Sequence, residues 1–502
     1  MFTNILYAYL TMDEYGLSGE NMVEQAPVLP GLCVAITAAS GHGYLAIHPK
    51  LRKLVFHDGT CAELYVGGRL VYRYEKCGPE PRAAGDTHGA IEVSEDRVFI
   101  GGWGEAPTRR NPDTQEFEAA DRSGKFSHIH AIGEDGKVEL LWIKKWDDRI
   151  KLHYWYAEVT DLLYDPRNDL LWVARGDVNW GGDQGLYMFD PSSGRMENIV
   201  FGNTYKMVMY RDAILMSSWH DKALYAYNPQ TSQKESVSSL PVFDGSSWDI
   251  PPATFGGAAF RAGGVPYVVQ GPAVVAVWDW RVGSSRRIMA FPFFACYSLD
   301  RKWTRPGARA QRPVNIGSSV LLPVNTQETY GDDALNTPVL TRFDSSSPQI
   351  VMPVFYLPGM AFDGKHLYLY ASRVNHEPVL TWRTDRGSIF MLEPETVLGK
   401  PLTGVRMGVL HGSYRVSMGL NGWVGGFPLK GFASKRLRVK VAEETVMRVA
   451  HYVLGSVEYV EFNDVNLKPG WNTVDLNGYD NMVAFKFNTN IDNVYAYVSL
   501  EP

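Results

Sequence analysis

The chain has 502 residues, 45% of them hydrophobic and 21% charged, a balance that excludes a disordered polymer and fits a folded protein. That length exceeds one ordinary core, so it requires several domains or a ring of small sheets that grows by repetition. A net charge of -6 without a sustained basic run argues against a nucleic-acid partner.

Residues 1–10 are apolar but lack a basic start and run into Asp13 and Glu14. They are too short to cross a membrane and poor as a signal peptide, and read as a strand. No other stretch approaches a transmembrane length, so a cytoplasmic protein is expected, with export by another route as the alternative. Cys33, Cys61, Cys77 and Cys296 are scattered without CxxC spacing. Reduced thiols are the expectation, with a Cys61–Cys77 bond open to an exported form. Gln is sparse, which fits a heat-adapted source.

From residue 43 onward one theme recurs: a short strand of β-branched and aromatic residues, a polar turn, and a return strand. Residues 43–49 lead to 53–56, and 87–93 lead through a tight turn to 97–103. A second hairpin, 127–132 with 137–141, completes a four-stranded unit. The theme continues at 161–174, 207–217, 256–270, 313–322, 359–370 and 412–425. Between these first hairpins lie outer ones, whose turns are rich in Asp, Asn, Pro, Ser and Gly: 190–195, 228–232, 282–285, 344–347 and 393–396. The period is about 45–70 residues, that of propeller blades. One blade cannot bury both faces of its sheet, whereas a ring of blades can. The spacing predicts an all-β fold, a seven-bladed β-propeller (eight-bladed as the alternative) over residues 1–430. Residues 4–10 or 32–38 are expected to complete the blade that begins near residue 412.

The pattern changes near Ser434. Segments 437–442, 447–454, 457–462, 471–476, 482–487 and 494–500 alternate strictly, with turns at Lys468-Pro469-Gly470 and Asn477-Gly478. They predict a small β-sandwich over 434–502, and residues 467–488 resemble jelly-roll modules appended to carbohydrate-active proteins. The sandwich either braces the ring, assists binding, or forms oligomers.

In a propeller the innermost strands start near the central axis. His42, His88 and His411 each precede a glycine at the start of a candidate first strand. Brought together, they would hold one divalent metal ion, or else cap strands through backbone carbonyls. Glu158 and Asp86 are the candidate catalytic carboxylates, and Asp161 and Asp249 also approach the funnel. Loops at one rim would offer Trp103, Trp180, Trp219, His220, Trp248 and Asp249 to a ligand. His128 and His130 alternate on one strand and read as packing between blades or as surface. Residues 177–183 have the oxygen ligands of a calcium loop without its terminal Glu. No phosphate loop, GxSxG, HExxH or dinucleotide fingerprint is present.

The stretches Ala157-Glu158-Val159-Thr160-Asp161-Leu162-Leu163-Tyr164-Asp165-Pro166 and Gly185-Leu186-Tyr187-Met188-Phe189 resemble an uncharacterised propeller-like family of hyperthermophilic archaea. That resemblance implies a host and no activity. A looser one, to carotenoid-cleaving oxygenases, implies axial histidines holding iron, a scheme that only His42, His88 and His411 fit. Three functions follow: a binding or interaction module for a small molecule, glycan or protein, a metal-dependent hydrolase or oxygenase, or a glycan hydrolase or lyase on the acidic rim.

Overall fold

A computed structural model describes residues 33–38, 43–58, 63–73, 84–86, 90–105, 108–110, 117–120, 126–145, 157–176, 183–202, 204–218, 221–250, 257–277, 288–297, 311–325, 338–344, 347–354, 356–372, 387–401 and 403–502. Strands dominate them, and the one helix described, Pro394–Leu398, is five residues long. No described helix is long and apolar enough to cross a membrane.

Among the described residues up to Leu392, seven antiparallel sheets of four or five strands follow one another, with two-stranded hairpins at Thr108–Arg110 with Phe117–Ala120 and at Ser239–Pro241 with Ser247–Asp249. Sheet one is Gly43–Ile47, Leu54–Asp58, Glu63–Val66 and Arg69–Arg73. In sheet two both Ala84–Asp86 and Ile91–Val93 pair with Val98–Glu105, followed by Phe126–Ile132 and Val138–Lys145. Sheets three and four open with Glu158–Asp165 and Thr204–Tyr210, sheets five and six with Ala259–Ala262 and Val314–Ile316. Sheet seven opens with Tyr356–Phe362, continues through Leu367–Ser372 and Gly387–Leu392, and takes its fourth strand, Cys33–Ala38, from the other end of the sequence.

The first strands pack in succession. Gly43–Ile47 lies against Ile91–Val93, which lies against Glu158–Asp165, then Thr204–Tyr210 and Ala259–Ala262. Ala259–Ala262 meets sheet six, Val314–Ile316 meets Tyr356–Phe362, and that strand returns to Gly43–Ile47. The arrangement is propeller-like, and its cause is the expected one: alternating strands with two apolar faces gain burial only by stacking. Each interface is an apolar layer, such as Ile129, Val159, Leu162 and Phe189 between sheets two and three. Close approach depends on small residues. A Cβ on Gly359 would stand 2.6 Å from the Gly43 carbonyl oxygen, so sheets seven and one touch backbone to backbone there.

Two expectations need correction. The N-terminal partner strand does complete a sheet, but its partner is Gly387–Leu392, not the segment near residue 412. That segment lies inside Val405–Tyr414, which pairs with Ile491–Glu501. Likewise Val424–Pro428 pairs with Met482–Phe487. The strands expected to open an eighth blade therefore belong to the C-terminal sheets, and the division drawn at residues 430–434 cuts through them. The reason is the shared period of two: alternation shows that a strand forms, not which partner it takes.

The C-terminal sheets are Val405–Tyr414, Ile491–Glu501, Ser434–Val441 and Gly470–Asp475, and Val424–Pro428, Met482–Phe487, Thr445–Val453 and Ser456–Leu467. Their apolar faces share one core cluster, with Val439 and Val498 from one sheet and Val449 and Phe485 from the other. That cluster runs on into sheet five. The Tyr452 hydroxyl donates to the Pro292 carbonyl at 2.6 Å, and its ring lies 5.8 Å from Phe291.

Candidate functional site

The groups that converge at the centre come from first strands and from the segment that enters sheet six. Bulges place two of them. The register of Glu158–Asp165 shifts between Val159 and Asp161, and that of Thr204–Tyr210 between Thr204 and Met207. A bulge re-aims the side chains beside it. Asp161 and Lys206, both buried, lie at these two irregularities.

Arg312, just before Val314–Ile316, reaches Asp161 with two bonds, Nε to Oδ1 at 3.2 Å and NH2 to Oδ2 at 3.1 Å. Its NH1 lies 2.8 Å from Oε2 of Glu92, on the short strand Ile91–Val93. The Met207 backbone N–H also donates to Asp161 Oδ2, at 2.8 Å. One guanidinium from sheet six thus joins sheets two and three, and through Met207 sheet four. Lys206 Nζ donates to the Thr160 carbonyl at 3.0 Å. Thr160 Oγ1 donates to the Ala174 carbonyl at 3.3 Å and the Thr204 carbonyl at 3.1 Å, holding the bulge.

Gln311 serves the opposite seam. Its Oε1 accepts from the Leu45 N–H at 2.8 Å, and its Nε2 donates to the Leu45 carbonyl at 3.0 Å and to the Met360 carbonyl. Its own N–H donates to the Pro358 carbonyl at 2.9 Å. The pair Gln311-Arg312 therefore touches sheets one, seven, two and three.

Asp161 is fully buried, whereas the Glu92 and Arg312 side chains keep 18% and 21% exposure. Burial pushes the Glu92 carboxyl up to about 7. The Arg312 guanidinium opposes that shift and the Asp161 charge adds to it. Burial works against the charge on Arg312, but Asp161 and Glu92 overcome it and hold the guanidinium protonated. Glu92 can therefore accept or donate a proton near neutral pH beside a fixed cation.

The residues singled out from sequence fare unevenly. Asp161, expected as a funnel carboxylate, is buried and held by Arg312 and the Met207 N–H. Glu158 begins its strand and is buried, three positions from Asp161. Asp86 pairs with Trp103 in sheet two, and Trp103 is half-buried there. Trp248 is buried in the hairpin of Ser239–Pro241 and Ser247–Asp249, and its indole N–H donates to the Gly419 carbonyl at 3.2 Å. It braces the C-terminal sheets, while Asp249 beside it is exposed. His411 sits in Val405–Tyr414 with its ring 5.0 Å from Tyr495, so it opens no first strand. His42, His88, Trp180, Trp219, His220, Cys61, Cys77 and residues 177–182 lie outside the described residues. The last residue of the proposed calcium loop, Asp183, accepts from Arg175 at 2.7 Å, Lys144 at 3.0 Å and the Ala157 N–H at 2.9 Å. Its carboxylate is engaged by protein groups. No cluster of three His, Cys, Asp or Glu suited to a metal occurs among the described residues. With His411 in the C-terminal part, the described residues do not gather an axial histidine set.

His128 and His130 are buried in sheet two, with Nδ1 atoms 3.0 Å apart and the His130 ring 5.2 Å from Tyr72 of sheet one. Of the two readings offered for them, packing between sheets is the one seen.

Glu92, Arg312, Gln311 and Lys206 were not singled out from sequence. A lone Glu on an alternating strand and an Arg ahead of a short one carry no local signal. A cation between a buried and a partly exposed carboxylate emerges only when the sheets are set in a circle.

Solved structures with a similar course of chain include U3-55K, at 10% identity over 73% of this chain and 99% of that one, TM-score 0.44. Others are the PQQ-bound aldose sugar dehydrogenase of Streptomyces coelicolor, at 11% identity over 72% and 97%, TM-score 0.34, and BamB of Moraxella catarrhalis, at 11% over 72% and 99%, TM-score 0.33. Likeness this distant says nothing of activity. No curated protein sequence matches the chain. Residues 57–246 match the model of the family described as "Uncharacterized protein conserved in archaea (DUF2139)".

Proposed function

We propose that the chain is a seven-bladed propeller, closed by Cys33–Ala38, followed by a β-sandwich that begins near Val405, and that it acts as a ligand-binding protein whose site is the central funnel. One observation supports this most: Glu92 and Arg312 keep partial exposure at the centre while Asp161, fully buried, holds the guanidinium from behind. Purely structural ion pairs need no open side. An Arg anchored in this way presents its remaining donors in a fixed geometry. Glu92, with a pKa near 7, supplies an acceptor or, when protonated, a donor. The pair suits a small polar molecule, a sugar or hydroxylated metabolite, with an oxygen on Arg312 and a hydroxyl on Glu92.

The test is a thermal-shift panel of sugars and small hydroxylated metabolites on wild type and Glu92→Gln. A binding compound raises Tm by linkage, and the variant reduces that rise. A panel without any shift, or a shift that Glu92→Gln leaves intact, defeats the reading. The enzyme readings, a metal centre on His42, His88 and His411 or glycan cleavage by Glu158 and Asp86, gain no support from a described contact.

A further inference from the structure

The outward face of one C-terminal sheet carries a second candidate site, independent of the funnel. Its strands alternate strictly. In Ser434–Val441 the inward residues Leu437, Val439 and Val441 are buried, which turns Arg436, Arg438 and Lys440 outward. Register then sets rows across the sheet. His411, Tyr495, Lys440 and Trp471 form one row. Tyr497 and Arg438 are neighbours in the next. Arg406 flanks them, its guanidinium 3.9 Å from the Tyr497 ring.

Arg406, His411, Arg438, Trp471, Tyr495 and Tyr497 line an open groove of about 410 Å³ with no acidic residue in its lining, and Lys440 stands beside it, paired in register with Tyr495 and Trp471. Arg438 stands 5.6 Å from the Trp471 ring and Lys440 5.7 Å from the Tyr495 ring. Arg438 Nε is buried and has no hydrogen-bond partner among the described residues. Trp471 is 50% exposed, unusual for so large an apolar ring. Asp475, on the edge strand of this sheet, accepts from the Asn477 N–H at 2.9 Å.

We propose that this groove binds an acidic sugar residue within an anionic polysaccharide. Charge complementarity calls for an anion, because Arg406 and Arg438 face one space, Lys440 flanks it on the same face of the sheet, and His411 adds a further donor. A carboxylate meets a guanidinium in two-point geometry. The flat C–H face of a pyranose ring covers an indole such as Trp471 and excludes water from it. Single-stranded nucleic acid fits less well. It needs several open ring faces in series, and here Arg406 covers Tyr497, which meets Trp471 edge to face at 5.8 Å. The groove volume suits one small unit and not a protein surface.

The experiment is titration calorimetry of the full chain with oligogalacturonates, neutral galactose oligomers of equal length, and oligodeoxythymidine. The expected result is binding of oligogalacturonate alone, weakening as salt rises and at least ten-fold weaker in Trp471→Ala with Tm unchanged. An Arg438→Gln/Lys440→Gln variant gives the same loss should Trp471→Ala fold poorly. Absence of oligogalacturonate binding, equal binding of the neutral oligomer, tighter binding of oligodeoxythymidine, or full affinity in a folded variant overturns the proposal.

Discussion

Arg312 and Asp161, 151 residues apart in sequence, meet in a two-point guanidinium–carboxylate contact across the centre of the sheet circle. Asp161 is fully buried, so its charge is tolerated only because Arg312 and the Met207 N–H face it. Removing one partner leaves the other uncompensated. Arg312→Met is expected to cost about 3–5 kcal/mol of stability. Adding Asp161→Asn should return part of that loss, because the buried charge goes too. Urea unfolding of the two single variants and the double variant measures the coupling. Additive losses would mean that the pair is not coupled.

Glu92 gives the centre a pH signature. Its carboxyl is raised from an ordinary 4.5 to about 7, chiefly by burial. The folded state therefore holds this proton where the unfolded state has released it. Stability from this group is fully present below pH 4.5 and declines as pH rises through 7, by an amount on the order of 3 kcal/mol. Glu92→Gln keeps the shape and removes the titration. Unfolding free energies at pH 5 and pH 8 should fall further in wild type than in the variant. Parallel pH profiles would show that Glu92 titrates normally.

How much of this could be read from the sequence depends on the range of the interaction. The turn at Asp190 was legible because its chemistry is local: the carboxylate accepts from the Ser192 and Ser193 hydroxyls at 2.7 Å each. The first strands were legible from alternation, as with Gly43–Ile47 leading to Leu54–Asp58. Asp161 stood out as a carboxylate at the start of a first strand. Its partner did not, since nothing near Arg312 marks it as reaching a residue three sheets away. His411 shows the opposite failure. Its His-Gly dipeptide repeats a local motif seen at His42 and His88, but pairing with Ile491–Glu501 is a long-range choice that no dipeptide reports.

The seam between sheets seven and one should be a weak point. Gln311 satisfies both backbone groups of Leu45 and the Met360 carbonyl there. Gln311→Ala leaves buried groups unpaired, at a cost of about 1–3 kcal/mol. Deleting Cys33–Ala38 goes further, since it bares the edge of Gly387–Leu392 and invites association. Hydrogen exchange should show faster opening of Gly43–Ile47 and Tyr356–Phe362 in Gln311→Ala than of Thr204–Tyr210. Uniform acceleration would place the effect elsewhere.

The buried histidines set an acid limit that complements Glu92. The Nδ1 atoms of His128 and His130 are 3.0 Å apart, so one must accept what the other donates, and that acceptor has to be neutral. Burial lowers the His128 pKa from 6.5 to about 3. A base with a depressed folded pKa contributes stability above pH 6.5, and that stability is lost as pH falls toward 3. Glu92 acts with the opposite sign. Between 4.5 and 6.5 the two slopes cancel, because the folded state holds one proton more at Glu92 and one fewer at His128. Their joint contribution is flat there and falls only outside that window. Selective ¹⁵N labelling of histidine tests this directly: at pH 5 His128 should show the nitrogen shifts of a neutral ring, and an imidazolium signal at that pH would refute the assignment.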